Sequence, residues 1–438
     1  MSIELVTLIM FGSLIVTLMM GVPIAWGLGS IAVIVCYLLW GTEGLRLIVY
    51  NTFGCMWNIA LVAIPLFMSM GVLLERAGIA EALFETVHRW SGQLRGGLAM
   101  GVVVICVIFA AMTGVTAAAT LTMGLIALPA MLKRGYDKSI ALGTIAGPGT
   151  LGVLIPPSIL SILIALVGGV SVGKLFMAGI LPGILLAGLF IAYIGIRAWL
   201  NPKLCPPHPE KFTLKEKVIS LRTVILPFLI ILSVLGSIFF GIATPTEAGS
   251  LGVVAVLIAV GIHRRFSWKL IKETSIETFR ITGLTMWIFF GAMAFSAVYA
   301  RAGGAIFITE VVLGLELGRW GTLIALNVVA LFLGCFLDNF AIILIFCPIA
   351  FPIIKALGFD PIWFGILFVI NMQIGYMSPP FGYQLFYLKS VAPPEITTGD
   401  IYKSVFPFIG VMLIGMAIIM IFPQIALWLP ELMMRLRG

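Results

Sequence analysis

Long apolar stretches alternate with short polar ones along almost the whole chain. A helix of about 20 predominantly apolar residues is long enough to cross the hydrocarbon core of a bilayer. The pattern therefore predicts an all-α polytopic membrane protein, with crossings near 3–20, 23–40, 58–75, 139–166, 176–198, 223–241, 246–262, 281–299, 361–390 and 405–429.

The apolar block 97–132 is too long for one crossing and has a different interpretation. Thr113 and Gly114 lie near its centre, while Arg95 precedes it and Lys133 ends it. Basic residues favour the cytoplasmic side of a membrane, so both ends of the block are expected on that side. We therefore predict a re-entrant hairpin rather than two crossings.

The block 320–354 has the same form, with Asp338 and Asn339 at its centre. Asp338 is the only ionisable side chain between Leu323 and Ala350. An ionisable group at membrane depth is costly and by default marks a functional site. The alternative is a structural carboxylate that caps a helix start, and one carboxylate can serve both roles.

Composition agrees with a membrane protein and excludes several other classes. Hydrophobic residues make up 61% of the chain and charged residues 10%, with a mean hydropathy of +1.18. The net charge of +8 comes from basic residues in loops, where they orient the chain rather than bind nucleic acid. The six cysteines contain no Cys-x-x-Cys pair and are interpreted as small apolar fillers.

Charge also predicts the orientation of the chain. The longest polar stretch, 197–222, is rich in lysine and arginine and is expected in the cytoplasm. Counting crossings outward leaves 41–57 and 167–174 outside and both termini in the periplasm. Each half then has five crossings and one hairpin, and an odd number of crossings inverts the second half relative to the first.

An internal repeat with a fixed offset of 223 residues supports this organisation. The predicted units are an N-terminal repeat at 1–200, a basic linker at 201–222 and a C-terminal repeat at 223–438. The matching positions are Pro129, Gly135, Asp137, Gly152, Pro156 and Pro157 with Pro352, Gly358, Asp360, Gly375, Pro379 and Pro380.

The repeated glycines and prolines interrupt two apolar segments, Gly147 to Ser158 and Gly375 to Gly382. Unwound backbone at membrane depth is tolerated only where it is buried in protein or lines a polar cavity. Its free carbonyls suit a small cation, while half-helix N-termini favour an anion. A packing kink is the alternative for one such break, but duplication favours a transport site built twice.

Two charged segments, 79–92 and 304–318, lie between a crossing and a hairpin in each half. They suit helices that lie along the membrane interface, here called arms, although ordinary short loop helices are the alternative. Glu247 in Thr244-Pro245-Thr246-Glu247 is interpreted as a helix cap and is placed with the scaffold.

These motifs together resemble the large membrane subunit of tripartite ATP-independent periplasmic (TRAP) transporters of the dicarboxylate-permease type. The resemblance covers essentially the whole chain. It rests on Gly135-Tyr136-Asp137-Lys138, Gly149-Thr150-Leu151-Gly152, Ile155-Pro156-Pro157-Ser158, Ala178-Gly179-Ile180-Leu181-Pro182-Gly183, Thr244-Pro245-Thr246-Glu247-Ala248, Leu337-Asp338 and Pro379-Pro380 with Gly382. The chain departs from the family pattern at Ser378, where threonine is more usual, and in the first hairpin centre, where more serines are usual.

The resemblance implies a secondary transporter of the bacterial inner membrane with an elevator mechanism. Its expected partners are a small four-helix membrane subunit, a periplasmic substrate-binding protein and the lipid bilayer, with no nucleic acid. It implies no cofactor, sodium ions for coupling, and a small organic carboxylate as substrate.

Position in the motifs assigns residues to the expected sites. Substrate is expected between the hairpin centres, at Thr116, Thr150, Gln373 and Tyr376. One sodium site is assigned to Thr113, Gly114, Gly149, Pro156 and Ser158, and the other to Asp338, Asn339, Gly375, Ser378, Pro379 and Gly382.

Two other functions are alternatives to this transporter. A stand-alone dicarboxylate or gluconate-type elevator carrier would share the repeat but take substrate directly from solution. An intramembrane enzyme would need a set such as His-Glu-x-x-His or paired membrane aspartates. The histidines, His88, His208 and His263, are all expected in polar loops, and Asp338 has no second carboxylate in the matching hairpin.

Overall fold

The computed structural model describes residues 1–77, 79–91, 94–206, 212–262, 266–335, 337–380 and 382–437, and this part of the chain is helical without strands. His208, His263 and short pieces of the predicted first arm, linker and second hairpin lie outside the described residues. Eight described helices are long and apolar enough to cross a membrane, or nine if a bent pair at 214–239 counts as one span.

The described residues of the first half form nine α-helices. They are α1 (Ile3–Met19), α2 (Ile24–Met56), α3 (Ala63–Arg76), α4 (Ile79–Ser91), α5 (Gly97–Thr113), α6 (Thr116–Lys133), α7 (Lys138–Gly149), α8 (Ile159–Gly168) and α9 (Val172–Leu200).

The second half begins after a short helix in the basic linker, α10 (Leu214–Ser220). It contains α11 (Arg222–Phe239), α12 (Pro245–Ile262), α13 (Trp268–Arg301), α14 (Gly304–Gly314), α15 (Gly318–Gly334), α16 (Asn339–Ala356), α17 (Pro361–Met377), α18 (Tyr383–Val391), α19 (Thr398–Ile421) and α20 (Gln424–Arg437).

Two segments and one histidine differ from the sequence prediction. The segment 405–429 is two helices, because α19 ends at Ile421 and α20 starts at Gln424. The connector 41–57 is mostly helical, since α2 continues after a kink at Gly41, which has φ 65° and ψ −156°. His88 lies in the arm helix α4 rather than in a loop, and it is buried between Phe84 and Phe212. Apolar periodicity could not separate these helical connectors from crossings.

The 223-residue offset relates helices as well as motifs. It carries α6 onto α16 without a shift, and α7 and α17 then start at equivalent residues. After each hairpin, a glycine in the left-handed region ends the helix, at Gly135 with φ 79° and Gly358 with φ 71°. Glycine adopts this conformation without steric cost, which explains why a glycine recurs at this position.

An aspartate two residues later starts the next helix in both halves. Asp137 accepts hydrogen bonds from the amides of Ser139 and Ile140 at 3.0 and 3.3 Å. Asp360 accepts them from Ile362 and Trp363 at 2.7 and 3.0 Å. The repeated Gly-x-Asp motif is therefore a helix stop followed directly by a helix cap.

Polar contacts sort the loops into two ends of the molecule. At the linker end, Arg76 pairs with Glu273 and Glu277, and Thr86 of arm α4 donates to the carbonyl of Ser220. His88 of the same arm contacts Arg134, at the base of the first hairpin. The first hairpin therefore opens at the linker end.

The base of the second hairpin lies at the opposite end. Lys355, in its last turn, donates to the carbonyl of Gly168 at 3.3 Å. Thr246 reaches the carbonyl of Ile59, and Arg437 that of Phe239, so the C-terminal helix is also at this end. The two hairpins enter the bundle from opposite ends, which makes the repeat inverted.

Candidate transport site

The first break interrupts the helix that follows the first hairpin. Helix α7 ends at Gly149, a 3-10 turn covers Thr150–Val153, and α8 starts only at Ile159. Ser158 caps α8 by accepting from the amide of Ser161 at 3.3 Å, and it donates to the carbonyl of Val153 at 2.6 Å. The whole break is buried, so its unwound backbone is shielded from lipid.

The tip of the first hairpin packs directly against this break. Gly114 has φ 65°, and a Cβ there would overlap the carbonyl oxygen of Pro157. A Cβ on Gly152 would stand 3.0 Å from the carbonyl carbon and oxygen of Val115. Two glycines from facing elements thus permit a backbone-to-backbone approach that any side chain would prevent.

The second break has the same position but a different course. Helix α17 continues to Met377, and Ser378 turns its hydroxyl back to donate to the carbonyl of Ile374 at 2.8 Å. A Cβ on Gly375 would stand 2.9 Å from the Cα of Gly334, at the end of α15. The second hairpin therefore also meets its break through glycine backbone.

Asp338 caps the returning helix of the second hairpin. Its Oδ2 accepts from the amide of Phe340 at 3.0 Å, and the residue is half-buried. The helix-cap role expected from sequence as one alternative is therefore present.

Asn339 follows Asp338 and is fully buried. Neither its side-chain oxygen nor its nitrogen has a hydrogen-bond partner among the described residues. An unpaired buried amide costs free energy unless a ligand or water satisfies it. The pair at the start of α16 thus offers a charged oxygen beside an unsatisfied amide.

One hydrogen bond joins equivalent positions of the two halves. The side-chain Nε2 of Gln373 donates to the carbonyl of Thr150 at 3.0 Å, and the two residues are 223 positions apart. A contact between residues related by the repeat lies on the pseudo-twofold axis. Both residues are fully buried, and no described residue bonds to Oε1 of Gln373.

The four expected substrate residues are therefore all near the breaks or a hairpin tip. Thr150 and Gln373 contact each other on the axis, while Thr116 starts α6 beside the first break. Tyr376 lies in the second break, with its ring 6.0 Å from that of Tyr383.

The first expected sodium set is brought together only in part. Gly114 lies against the Pro157 carbonyl and the Cα of Ser158, whereas a Cβ on Gly149 would meet Thr120 and Gln384. Thr113 donates its hydroxyl to the carbonyl of Phe109 at 2.9 Å. Pro156 lies against α9 instead, where its Cδ is 3.8 Å from the place that a Cβ on Gly179 would occupy.

The second expected set also divides. Gly375 contacts the end of α15, while a Cβ on Gly382 would stand 2.7 Å from the carbonyl oxygen of Tyr376 and 3.0 Å from that of Ser378. Gly382 therefore lies close to two carbonyls of the break, and Pro379 lies between Ser378 and Gly382 in sequence. Among the described residues, no group of three or more His, Cys, Asp or Glu could hold a metal, so the local donors are mainly carbonyls and hydroxyls.

Sequence reasoning missed several buried polar residues. Gln384 donates to Thr120 and to the carbonyl of Ala146, and Asn371 donates to the carbonyl of Asn327 at 2.6 Å. Amides in apolar membrane segments could have marked them, because a polar side chain there needs a partner. The partners lie far away in sequence and only folding identifies them.

Comparison with known proteins gives a consistent family. The sequence model described as "Tripartite ATP-independent periplasmic transporter, DctM component" matches residues 11–425. A C4-dicarboxylate TRAP transporter large permease protein DctM of Pseudomonas aeruginosa is 34% identical, with 90% of this chain and 91% of that protein covered. The corresponding protein of Vibrio cholerae is 33% identical, with 99% and 98% covered.

A solved structure has the same fold at low sequence identity. The YdaH transporter of Alcanivorax borkumensis aligns with a TM-score of 0.63 and 16% identity, over 92% of this chain and 96% of that chain. The match of the family model to nearly the whole sequence, together with the inverted repeat of hairpins and broken helices, shows that this chain belongs to the DctM family, the large membrane permeases of tripartite ATP-independent periplasmic transporters.

Proposed function

We propose that the protein takes up a small organic carboxylate across the bacterial inner membrane, coupled to sodium and by an elevator mechanism. The observation that carries this proposal is the bond between Gln373 and Thr150, which joins the two broken helices on the pseudo-twofold axis. Inverted halves that meet at one midplane site can exchange conformations and expose that site to either side.

Sodium suits the oxygen donors at both breaks. The first break offers carbonyls and the hydroxyls of Thr113 and Ser158, and the second adds the carboxylate of Asp338. Hard cations prefer such oxygen ligands. The assigned sodium residues remain Thr113, Gly114, Gly149, Pro156 and Ser158 for one site, and Asp338, Asn339, Gly375, Ser378, Pro379 and Gly382 for the other.

The substrate is proposed to bind between the hairpin tips. Thr116, Thr150, Gln373 and Tyr376 provide neutral polar groups there, and half-helix N-termini add positive potential for an anion. Relatives named for C4-dicarboxylate, isethionate and ectoine transport have 34%, 31% and 32% identity, so family membership alone leaves the substrate open. A carboxylate is the choice that best fits the anion-attracting helix ends.

Two protein partners are proposed, a small four-helix membrane subunit and a periplasmic substrate-binding protein. A relative from Oleidesulfovibrio alaskensis is named permease protein DctMQ, and this chain covers 66% of its length. The remaining third of that protein leaves room for a fused small subunit.

The orientation in this proposal places the linker end in the cytoplasm and both termini in the periplasm. The linker end carries the lysine- and arginine-rich segment 201–222, which supports this choice. The second hairpin then opens towards the periplasm, where substrate arrives.

The test is uptake into proteoliposomes that contain this chain and the small subunit. Labelled carboxylates are offered with and without the binding protein, in sodium or in potassium. Uptake that requires both sodium and the binding protein is expected. Equal uptake without the binding protein would favour the stand-alone carrier, and equal uptake in potassium would contradict sodium coupling.

A further inference from the structure

Helix α18 follows the second break but packs against the first hairpin. Its side chains Leu388 and Val391 face Gly124 of α6, and Leu388 Cδ1 lies 3.6 Å from the place where a Cβ on Gly124 would stand. The end of the second break is therefore held by an element of the other half.

Gln384 provides the polar contact in this packing. It is fully buried, and its Nε2 donates to Oγ1 of Thr120 and to the carbonyl of Ala146, the latter at 3.1 Å. Thr120 belongs to α6 and Ala146 to α7. One amide group thus joins the helix after the second break to the first hairpin and to the helix that leads into the first break.

The backbone of the first break leaves space for this amide. Gly149 is the last residue of α7, and a Cβ there would stand 2.5 Å from Nε2 of Gln384 and would also overlap Thr120. The amide group therefore lies directly against the residue at which α7 ends. A change in the path of the first break would move the partners of Gln384.

At the equivalent described positions, the other pair of elements lacks this side-chain bridge. The 223-residue offset relates Gln384 to Ser161 and Thr120 to Ile343. Isoleucine has no polar side-chain atom, so α8 and α16 pack without a side-chain hydrogen bond at these positions. The polar contact between α16 and α8 lies instead at the base of the second hairpin, where Lys355 donates to the carbonyl of Gly168, at the end of α8 that is far from the break.

We propose that Gln384 is a positioning residue that couples the two copies of the transport site, through Thr120 and Ala146. The inference rests on the proposed sodium-coupled function. Cation binding at the first break fixes carbonyls that follow Gly149, and the bridge passes that constraint to α18 and the second break. Coupling of this kind is reciprocal, so sodium at either site should favour sodium at the other.

The decisive comparison uses two threonines that differ in one respect. Thr120 and Thr144 are both fully buried, but the hydroxyl of Thr144 has no hydrogen-bond partner within the described part of the chain. Thr120→Val removes the bridge acceptor, whereas Thr144→Val removes a hydroxyl of the same size from α7 without loss of a hydrogen bond. Each variant is tested for sodium-dependent uptake with both partner proteins, and for the sodium-induced rise in melting temperature of the purified chain.

Thr120→Val is expected to raise the sodium midpoint about three- to thirtyfold, the range that follows from one interhelical hydrogen bond in a membrane. It should also reduce the steepness of the sodium dependence, which a purely structural residue would leave unchanged. Thr144→Val should match the wild type in both. Equal midpoints in the two variants, or a lower melting temperature with an unchanged sodium midpoint, would overturn the proposal.

Gln384→Leu adds a double-mutant cycle. If Gln384 acts through Thr120, the double variant should be no worse than Gln384→Leu alone; additive effects would contradict the bridge. If Gln384→Leu does not fold, the comparison of Thr120→Val with Thr144→Val still tests the proposal. A wild type without sodium-driven uptake would count against the proposed function, while the thermal response of the threonine variants to sodium would still test the bridge.

Discussion

The two copies of the hairpin and break have the same backbone plan but different electrostatics. At equivalent positions before the returning hairpin helix, the first copy has Val115 and the second has Asp338. The first break is fully buried and includes a 3-10 turn, whereas the second has a continuous α17 and partly exposed residues after it.

One backbone plan can therefore carry two sites with different charge. Close glycine contacts fix the geometry in both copies, at Gly152 and at Gly375. Charge enters only through Asp338, whose carboxylate also caps α16. The proposed sodium sites should therefore differ in strength while sharing a mechanism.

The largest effect is expected from the orientation of the two copies. In a cysteine-free background, Lys215→Cys at the linker end should be protected from an impermeant thiol reagent in intact cells, because the proposed orientation puts this basic end in the cytoplasm. Leu436→Cys, at the opposite end, should be labelled fully. Both side chains are exposed, which makes them a matched pair. Labelling at 215 with none at 436 would reverse the proposed topology.

The next effect concerns the contacts that the copies share. Gly152→Val and Gly375→Val should each abolish uptake, since the new side chain would meet the backbone of Val115 or of Gly334 at about 3 Å. Gly188→Val is the control, because it lies in α9 with nothing within 4 Å of its Cβ position. The measurement is uptake at equal amounts of membrane-inserted protein. Near-normal uptake in both break variants would reduce the breaks to packing kinks.

Asp338→Asn removes the charge that distinguishes the second copy. It should raise the sodium midpoint about tenfold to a hundredfold, since a bond to a charged group contributes about 1.5–3 kcal/mol. Asparagine can still cap α16, so folding should persist. Sodium-dependent uptake measures the midpoint. An unchanged midpoint and maximal rate would make Asp338 a helix cap alone.

The smallest effect is expected from Thr113→Ala in the neutral first copy. The hydroxyl already donates to Phe109, so only its oxygen lone pairs are available to a cation. Loss of a neutral ligand should raise the sodium midpoint by about two- to tenfold. A larger effect than that of Asp338→Asn would reverse the ranking of the two sites.

Several features of the fold could be predicted from local sequence. The repeated glycine and aspartate at Gly135 and Asp137 define a helix stop and a helix cap, because both depend on the conformation of neighbouring residues only. Glu247 likewise forms a capping box, accepting from the amide and hydroxyl of Thr244 at 2.8 Å. Local backbone chemistry is readable without a partner.

The end of the chain was harder to predict. The segment 405–429 is apolar throughout, yet a helix ends at Ile421 and another starts at Gln424. The length of an apolar stretch does not show where a helix ends. Pro423, between the two helices, is a local sign of a helix boundary, but the continuous apolar pattern favoured a single crossing.

The membrane class, the duplicated breaks and the inverted order of the halves can be predicted from the sequence alone, because length, hydropathy and helix-breaking residues act locally. Contacts between distant residues appear only in the tertiary structure, where Gln373 donates to Thr150 and Gln384 donates to Thr120. The reason is that a buried amide can be satisfied by any donor or acceptor the packing brings near, and helix packing rather than sequence spacing selects that partner.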